Sequence, residues 1–228
     1  MTTQDSLKRQ AAEAAVADVM DGMVVGLGTG STAAMAVEAL AVRMQAGLRF
    51  VGIPTSERTA AQARALGIPL VDFADHPRID LTIDGADEVH TGTLDLIKGL
   101  GGALLREKIV AAASRRMTVV VDESKLVPAL GQVRLPVEVA AFGWQATCAH
   151  LRDAGATPVL RAGPDGPYRT DGGNLILDCT FLAGIPDPAA LQARLKAVTG
   201  VIETGLFIGL ATRIIAGTGS GPRILEKP

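Results

Sequence analysis

Aromatic residues are scarce: one Trp, one Tyr and five Phe in 228 positions. A protein that grips single-stranded nucleic acid stacks bases on aromatic faces, so that class is disfavoured at once. A surplus of basic charge is also missing. Lys and Arg number 22 against 24 Asp and Glu, a formal net charge of −2, which leaves no positive field to hold a polyanion. Cysteine is nearly absent. Cys148 and Cys179 form no C-x-x-C unit and read as free buried thiols, neither a disulfide frame nor a metal site. Long apolar runs are lacking as well. The most apolar stretch, Met23 to Val42, is broken by GTGST and Glu38, whereas a membrane span needs about 20 apolar residues. The N-terminal MTTQDSLKRQAAEAAV is polar and then helical, without the apolar block of a secretory signal. The expected setting is a reducing cytoplasm, with neither membrane nor nucleic acid as a partner.

What remains is an ordinary globular chain, 48% hydrophobic and 20% charged, long enough for one large or two small domains. Its 26 glycines exceed average usage of about 7% and gather in a few short clusters, which points to sites lined by backbone. Asp5 or Ser6 is placed to cap a first helix running through Ala17. MVVGLG reads as a buried strand, TAAMAVEALAVRM as a helix and LRFVGIP as a second strand. Thr55 and Ser56 precede the helix ERTAAQARAL, which Gly67 stops. IPLV and IDLTIDGAD read as strands, LDLIKGLGG as a short strand and glycine loop, ALLREKIVAAAS as a helix and MTVVVDESK as a strand. Strands that are apolar throughout and alternate with helices indicate a mostly parallel sheet covered on both faces, an α/β fold. Ligands of such sheets bind beyond the carboxyl ends of the strands.

The pattern changes near Gly131. VRLPVEVAAF, WQATCAHLRDAG, two strands around PDGP, PAALQARLKAV and GVIETGLFIGL give the order β-α-β-β-α-β, that of a smaller ferredoxin-like module. The expected division is residues 1–130 plus 207–228 for the larger domain and 131–206 for the smaller one. The tail ATRIIAGTGSGPRILEKP carries two strands that return to the first sheet.

Three segments carry chemistry. Gly26-Leu27-Gly28-Thr29-Gly30-Ser31-Thr32 joins a strand to a helix. Its glycines admit a ligand close to the backbone, the helix end supplies free N–H groups, and Thr29, Ser31 and Thr32 add hydroxyls, which suits a phosphate. The third glycine of a dinucleotide fingerprint is missing, and so are the acid after the second strand and the lysine of a P-loop. The alternative is a turn kept for tight packing. Asp84-Gly85-Ala86-Asp87-Glu88 crowds three carboxylates at a strand end, costly unless hydroxyls, a cation or a metal satisfies them. An exposed acidic turn is the plainer reading, and no histidine or calcium-loop spacing supports a metal. Lys98-Gly99-Leu100-Gly101-Gly102 runs into a helix holding Arg106, Glu107 and Lys108. It is a second anion cradle, with Glu107 held ionised by the cations beside it, or else a solvated charged face. Lys125 falls on the same rim. His76, His90 and His150 share no spacing and read as structural.

GLGTGST, DGADEV, KGLGGALLREKIV and DESKLV, in that order and with PVEV downstream, resemble ribose-5-phosphate isomerase of the A type over most of the chain, from about Lys8 to the late GLF segment. The resemblance implies a Rossmann-like domain with a smaller α/β lid, assembled as a homodimer or tetramer and acting in the non-oxidative pentose phosphate pathway without metal or organic cofactor. It implies that Thr29, Gly30, Ser31 and Thr32 bind the phosphate, assisted by Lys125 and Lys8. Asp84, Gly85, Ala86 and Asp87 would meet the sugar hydroxyls, and Lys98, Gly99, Leu100 and Gly101 would line the reacting end. Glu107 would be the proton-transferring base, with Lys98 at the oxyanion and Asp84 in ring opening. Leu100 departs from the glycine found in some members, so its backbone alone would matter. Other readings are a hexosamine-phosphate deaminase or CoA transferase on a related fold, and a non-catalytic sugar-phosphate sensor. The last would be expected to carry a DNA-binding module, for which no basic segment precedes MVVGLG.

Overall fold

The computed structural model describes residues 3–227. The chain runs through helix α1 (Thr3–Val16), strand β1 (Val24–Leu27), α2 (Ser31–Gln45), β2 (Val51–Pro54), α3 (Glu57–Ala65) and β3 (Leu81–Asp84). Two short strands, β4 (Glu88–His90) and β5 (Leu96–Ile97), lead to α4 (Leu104–Ala112), β6 (Met117–Asp122) and a 3-10 turn, Glu123–Lys125. Then come β7 (Leu126–Val127), β8 (Leu135–Val139), α5 (Trp144–Asp153) and β9 (Thr157–Leu160). The small hairpin β10 (Ala162–Gly163) and β11 (Gly166–Pro167) is followed by β12 (Leu175–Thr180), α6 (Pro188–Lys196) and β13 (Val201–Thr204). The last strands are β14 (Leu206–Phe207), β15 (Arg213–Thr218) and β16 (Gly221–Glu226).

The main sheet has the order β16-β15-β6-β3-β1-β2. Every pairing is parallel except that of the edge strand β16 with β15. Three of its inner strands, β1, β3 and β6, are buried at every position, as the unbroken apolar runs required. α1 and α2 cover one face through Ala11, Ala15, Val37 and Leu40. Val110 of α4 packs on the other face with Val24, Ile53 and Ile79. The alanine surface of α1 allows a close approach: a Cβ on Gly217 would lie 1.9 Å from the Leu7 carbonyl oxygen.

The second sheet, β13-β8-β12-β9, is antiparallel throughout. With α5 and α6 it follows the β-α-β-β-α-β order read from the sequence. A third sheet, β14-β5-β4-β7, lies outside that reading. It gathers four strands of two or three residues, the neighbours β4 and β5 with β7 and β14 from farther along the chain. The IPLV segment makes one bridge, Gly52 to Leu70, rather than a strand. The first helix begins at Thr3, so Asp5 sits in its first turn instead of capping it. The tail returns to the main sheet as β15 and β16. Among the described residues no helix is long and apolar enough to cross a membrane.

In the main sheet β1 has β2 on one side and β3 on the other, so successive crossovers depart in opposite directions. That is a topological switch point, where the loops beyond the strand ends part and leave a crevice.

Candidate active site

The crevice is a cavity of about 160 Å³. Thr29, Gly30, Ser31 and Thr32 form one wall, after β1. Gly85, Ala86 and Asp87, after β3, form the floor. Lys98, Gly99, Gly101 and Glu107 line the far end, and Lys8 and Lys125 also line the cavity. Gln4, which the sequence did not single out, also lines it and donates through Nε2 to Asp122 Oδ2 at 3.3 Å. Asp84 and Leu100 do not line the cavity.

At the β1 wall, α2 begins with Gly30 as its N-cap, at φ 117°, and carries no side-chain cap. The first-turn amides of a helix have no acceptor within it, so they remain available to an anion beside Ser31 and Thr32. Thr29 is spent elsewhere. Its hydroxyl lies 2.8 Å from those of Thr55 and Ser56 and 3.0 Å from that of Thr59, and its amide donates to Asp84 Oδ1 at 3.0 Å. Expected as a phosphate donor, Thr29 instead has both its donors engaged in holding the loop. Gly28 is demanded by contact: a Cβ there would sit 2.3 Å from Asp84 Oδ1. Replacing Gly28 by Ala is expected to cost at least about 1–3 kcal/mol, the range for overpacking. Urea unfolding measures the loss.

At the far end Lys98 is almost fully buried between two buried acids. Its Nζ lies 3.0 Å from Asp84 Oδ2 and 3.2 Å from Glu107 Oε1, and donates to the Gly85 carbonyl at 2.6 Å. The residue is fixed from behind, since its amide donates to Gly205 O at 2.9 Å. Burial would by itself lower the Lys98 ammonium, but the charges of Asp84 and Glu107 outweigh that and raise it. Burial pushes Asp84 up, with Lys98 opposing. It also pushes Glu107 up to about 8, against the pull of Lys98 and with help from Asp84. Glu107 Oε2 is buried and has no hydrogen-bond partner.

The cations next to Glu107 in sequence turn out not to be its partners. Arg106 reaches Glu57 at 2.7 Å, and Lys108 reaches Glu203 at 2.8 Å. Adjacent helical residues diverge by roughly 100°, so they face different surroundings. Leu100 acts through its backbone: its amide donates to Asp87 Oδ2 at 2.9 Å. The neighbouring acid Glu88 is turned away and accepts from the amides of Gly131 and Val133. Among the described residues no group of three or more His, Cys, Asp or Glu is arranged to hold a metal ion.

An open parallel sheet with an uncapped helix N-terminus at its switch point, beside a buried carboxyl and a buried ammonium, has the form of an α/β enzyme that moves protons on a small anionic substrate. The comparisons narrow this class. The family model described as ribose 5-phosphate isomerase A (phosphoriboisomerase A) matches residues 51–221. A ribose-5-phosphate isomerase A from Gloeobacter violaceus is 59% identical over 222 residues, covering 97% of this chain and 96% of that protein. The structure of ribose 5-phosphate isomerase A from Methanocaldococcus jannaschii superposes with a TM-score of 0.94 at 40% identity, over 98% of this chain and 99% of that one. A D-ribose-5-phosphate isomerase in complex with phospho-erythronic acid gives 0.95 at 38% identity, over 99% and 100%. This chain belongs to the ribose 5-phosphate isomerase A family.

Proposed function

We propose that the chain interconverts D-ribose 5-phosphate and D-ribulose 5-phosphate, with Glu107 carrying the proton between the two carbons. The observation that carries this reading is Glu107 Oε2, buried, unpartnered and on a carboxyl that lines the cavity beside Lys98. The complex of the related isomerase with phospho-erythronic acid supports the substrate class.

The phosphate sits on the amides and hydroxyls at the start of α2, drawn there by Lys8 and Lys125. Binding at that end positions the reacting carbons and supplies orientation energy. Glu107 removes the proton from C2 of the open-chain aldose. The electron pair moves into the C1–C2 bond and the carbonyl oxygen becomes the enediolate oxyanion. Lys98 and the backbone amides of Gly99 and Gly101 meet that charge, the interaction that contributes most in reactions of this kind. Glu107 then returns its proton to C1, while the O2 proton passes to O1. Asp84 fixes the Lys98 ammonium and the loop amides of Thr29 and Gly85.

The smaller sheet is read as the lid and oligomerisation part of a homodimer, on the family resemblance. Two buried free thiols, Cys148 and Cys179, suit the reducing cytoplasm in which the non-oxidative pentose phosphate pathway runs.

The deciding experiment mixes the purified chain with EDTA and ribose 5-phosphate and follows ketopentose. Steady ketose formation is expected; its absence ends the reading. The cradle has its own test. Joint replacement of Ser31 and Thr32 by Ala is expected to raise KM for ribose 5-phosphate at least about tenfold, because hydrogen bonds to a charged group are worth about 1.5–3 kcal/mol. Turnover of unphosphorylated ribose should be unaffected. Equal losses on both sugars would move the phosphate elsewhere.

A further inference from the structure

The turn at the reacting end is gripped from outside the main sheet. Arg161 follows β9 of the second sheet and donates through Nη1 to the carbonyls of Gly99, at 3.0 Å, and Leu100, at 3.1 Å. The rest of its guanidinium forks onto Asp178 of β12. Nε lies 3.0 Å from Oδ2, and Nη2 bonds Oδ1. The Asp178 side chain is buried and that of Arg161 largely so, at 5% and 11% exposure, and the guanidinium lies over the Tyr168 ring, 5.7 Å from its centre. A planar fork held by a carboxylate on one edge has a fixed direction on the other, which an ammonium would lack.

That direction sets the turn. In a planar trans peptide the N–H points opposite to the C=O. With the Gly99 carbonyl on Arg161, the Leu100 N–H points away from it and meets Asp87 Oδ2 at 2.9 Å. With the Leu100 carbonyl on Arg161, the Gly101 N–H is turned to the same far side. Gly101 lines the cavity, and its amide has no acceptor among the described residues. Gly101 is exposed to solvent, so that N–H can exchange water for a bound anion.

We propose that Arg161, anchored by Asp178, is a positioning residue that aims the Gly101 N–H at the enediolate oxygen and so ties the reacting end to the second sheet. The catalytic half of this inference rests on the isomerase reading; the structural half does not. Asp178 gives the sequence-level signal, an acid within the apolar run LILDC, which requires a buried partner.

Arg161→Ala and Arg161→Lys test it. In both, kcat is expected to fall about a hundredfold, the scale of a lost or misplaced oxyanion donor. KM for ribose 5-phosphate should stay within about threefold, the mark of an interaction made in the transition state. Added guanidinium should restore part of the kcat of Arg161→Ala. Independently of activity, NMR should find the Leu100 amide exchanging at least about tenfold faster in both variants, while the amides of Val119 and Val120 in β6 keep their protection. Affinity for inorganic phosphate should not change. If the wild-type chain made no ketose, the exchange data would still decide whether Arg161 holds the turn. Unaltered Leu100 exchange, or equal acceleration in β6, overturns the positioning. A kcat close to wild type overturns its catalytic consequence, and so does a parallel loss of kcat and phosphate affinity without guanidinium rescue.

Discussion

Glu107→Gln is expected to fold and to lose at least about a hundredfold in kcat, the low end for a positioned acid–base group. The amide keeps the shape of the carboxyl and a hydrogen bond to Lys98, but it cannot take a proton from carbon. The variant should be no less stable than wild type at neutral pH, because the interior penalises the Glu107 charge. The sign of the pH effect follows from the raised value. A carboxyl that titrates near 8 folded and about 4.3 unfolded holds its proton more tightly in the native state. It therefore adds stability at low pH and loses that contribution as pH rises through the folded value. Between pH 5 and 8 the wild type should lose stability relative to the variant. Activity runs the other way, since the base works ionised. The wild-type kcat/KM should climb with pH up to about 8 and then level off, and the residual activity of the variant should lack this limb. Near-normal turnover by Glu107→Gln would remove the carboxyl from its role.

Lys98→Met should do more damage to the fold than any other single change in the site. It leaves Asp84 and Glu107 buried together without a cation, and stripping one partner from a buried ion pair costs about 3–5 kcal/mol. The Lys98 ammonium also lies 5.4 Å from the centre of the Phe207 ring, a contact that Met gives up. The loss should be larger at pH 8 than at pH 5, because the two acids escape the penalty when protonated. Adding Glu107→Gln to Lys98→Met should recover part of the stability, the non-additivity expected of groups in contact. Denaturant unfolding of the two single variants and the double variant measures this. Strictly additive losses would mean that the ammonium and the carboxyl do not interact.

The strands of the main sheet and the helices between them were legible because each is announced locally, by an apolar run, a capping hydroxyl or a stopping glycine. Ser56, for example, accepts from the Thr59 amide as its position before ERTAAQARAL suggested. The loops that line the cavity were legible for the same reason, as they follow strand ends. The third sheet was not. β5, within LDLIKGLGG, was read as a strand, but β4 and β7 have three and two residues, too few for any period to register, and β7 and β14 pair with β4 and β5 from far along the chain. The ion pairs were illegible where they cross elements. Sequence neighbours suggested Arg106 and Lys108 as the companions of Glu107, whereas the fold delivers Lys98 from ahead of the turn that precedes the helix. The hydroxyl of Thr29 was given to the ligand because nothing local reveals that Thr55, Ser56 and Thr59 converge on it.

The bond from the Lys98 amide to Gly205 O, together with the pairing of β5 with β14, bears on how the molecule is born. Residues 98 to 107 leave the ribosome well before residue 205 exists. The nascent chain can assemble much of the parallel sheet early, but the backbone of the lysine that faces two acids lacks its Gly205 brace until some hundred residues more are made. Contacts so distant in sequence close slowly. A chain released prematurely, before Gly205, would carry Asp84, Lys98 and Glu107 and still lack the carbonyl that braces the Lys98 backbone.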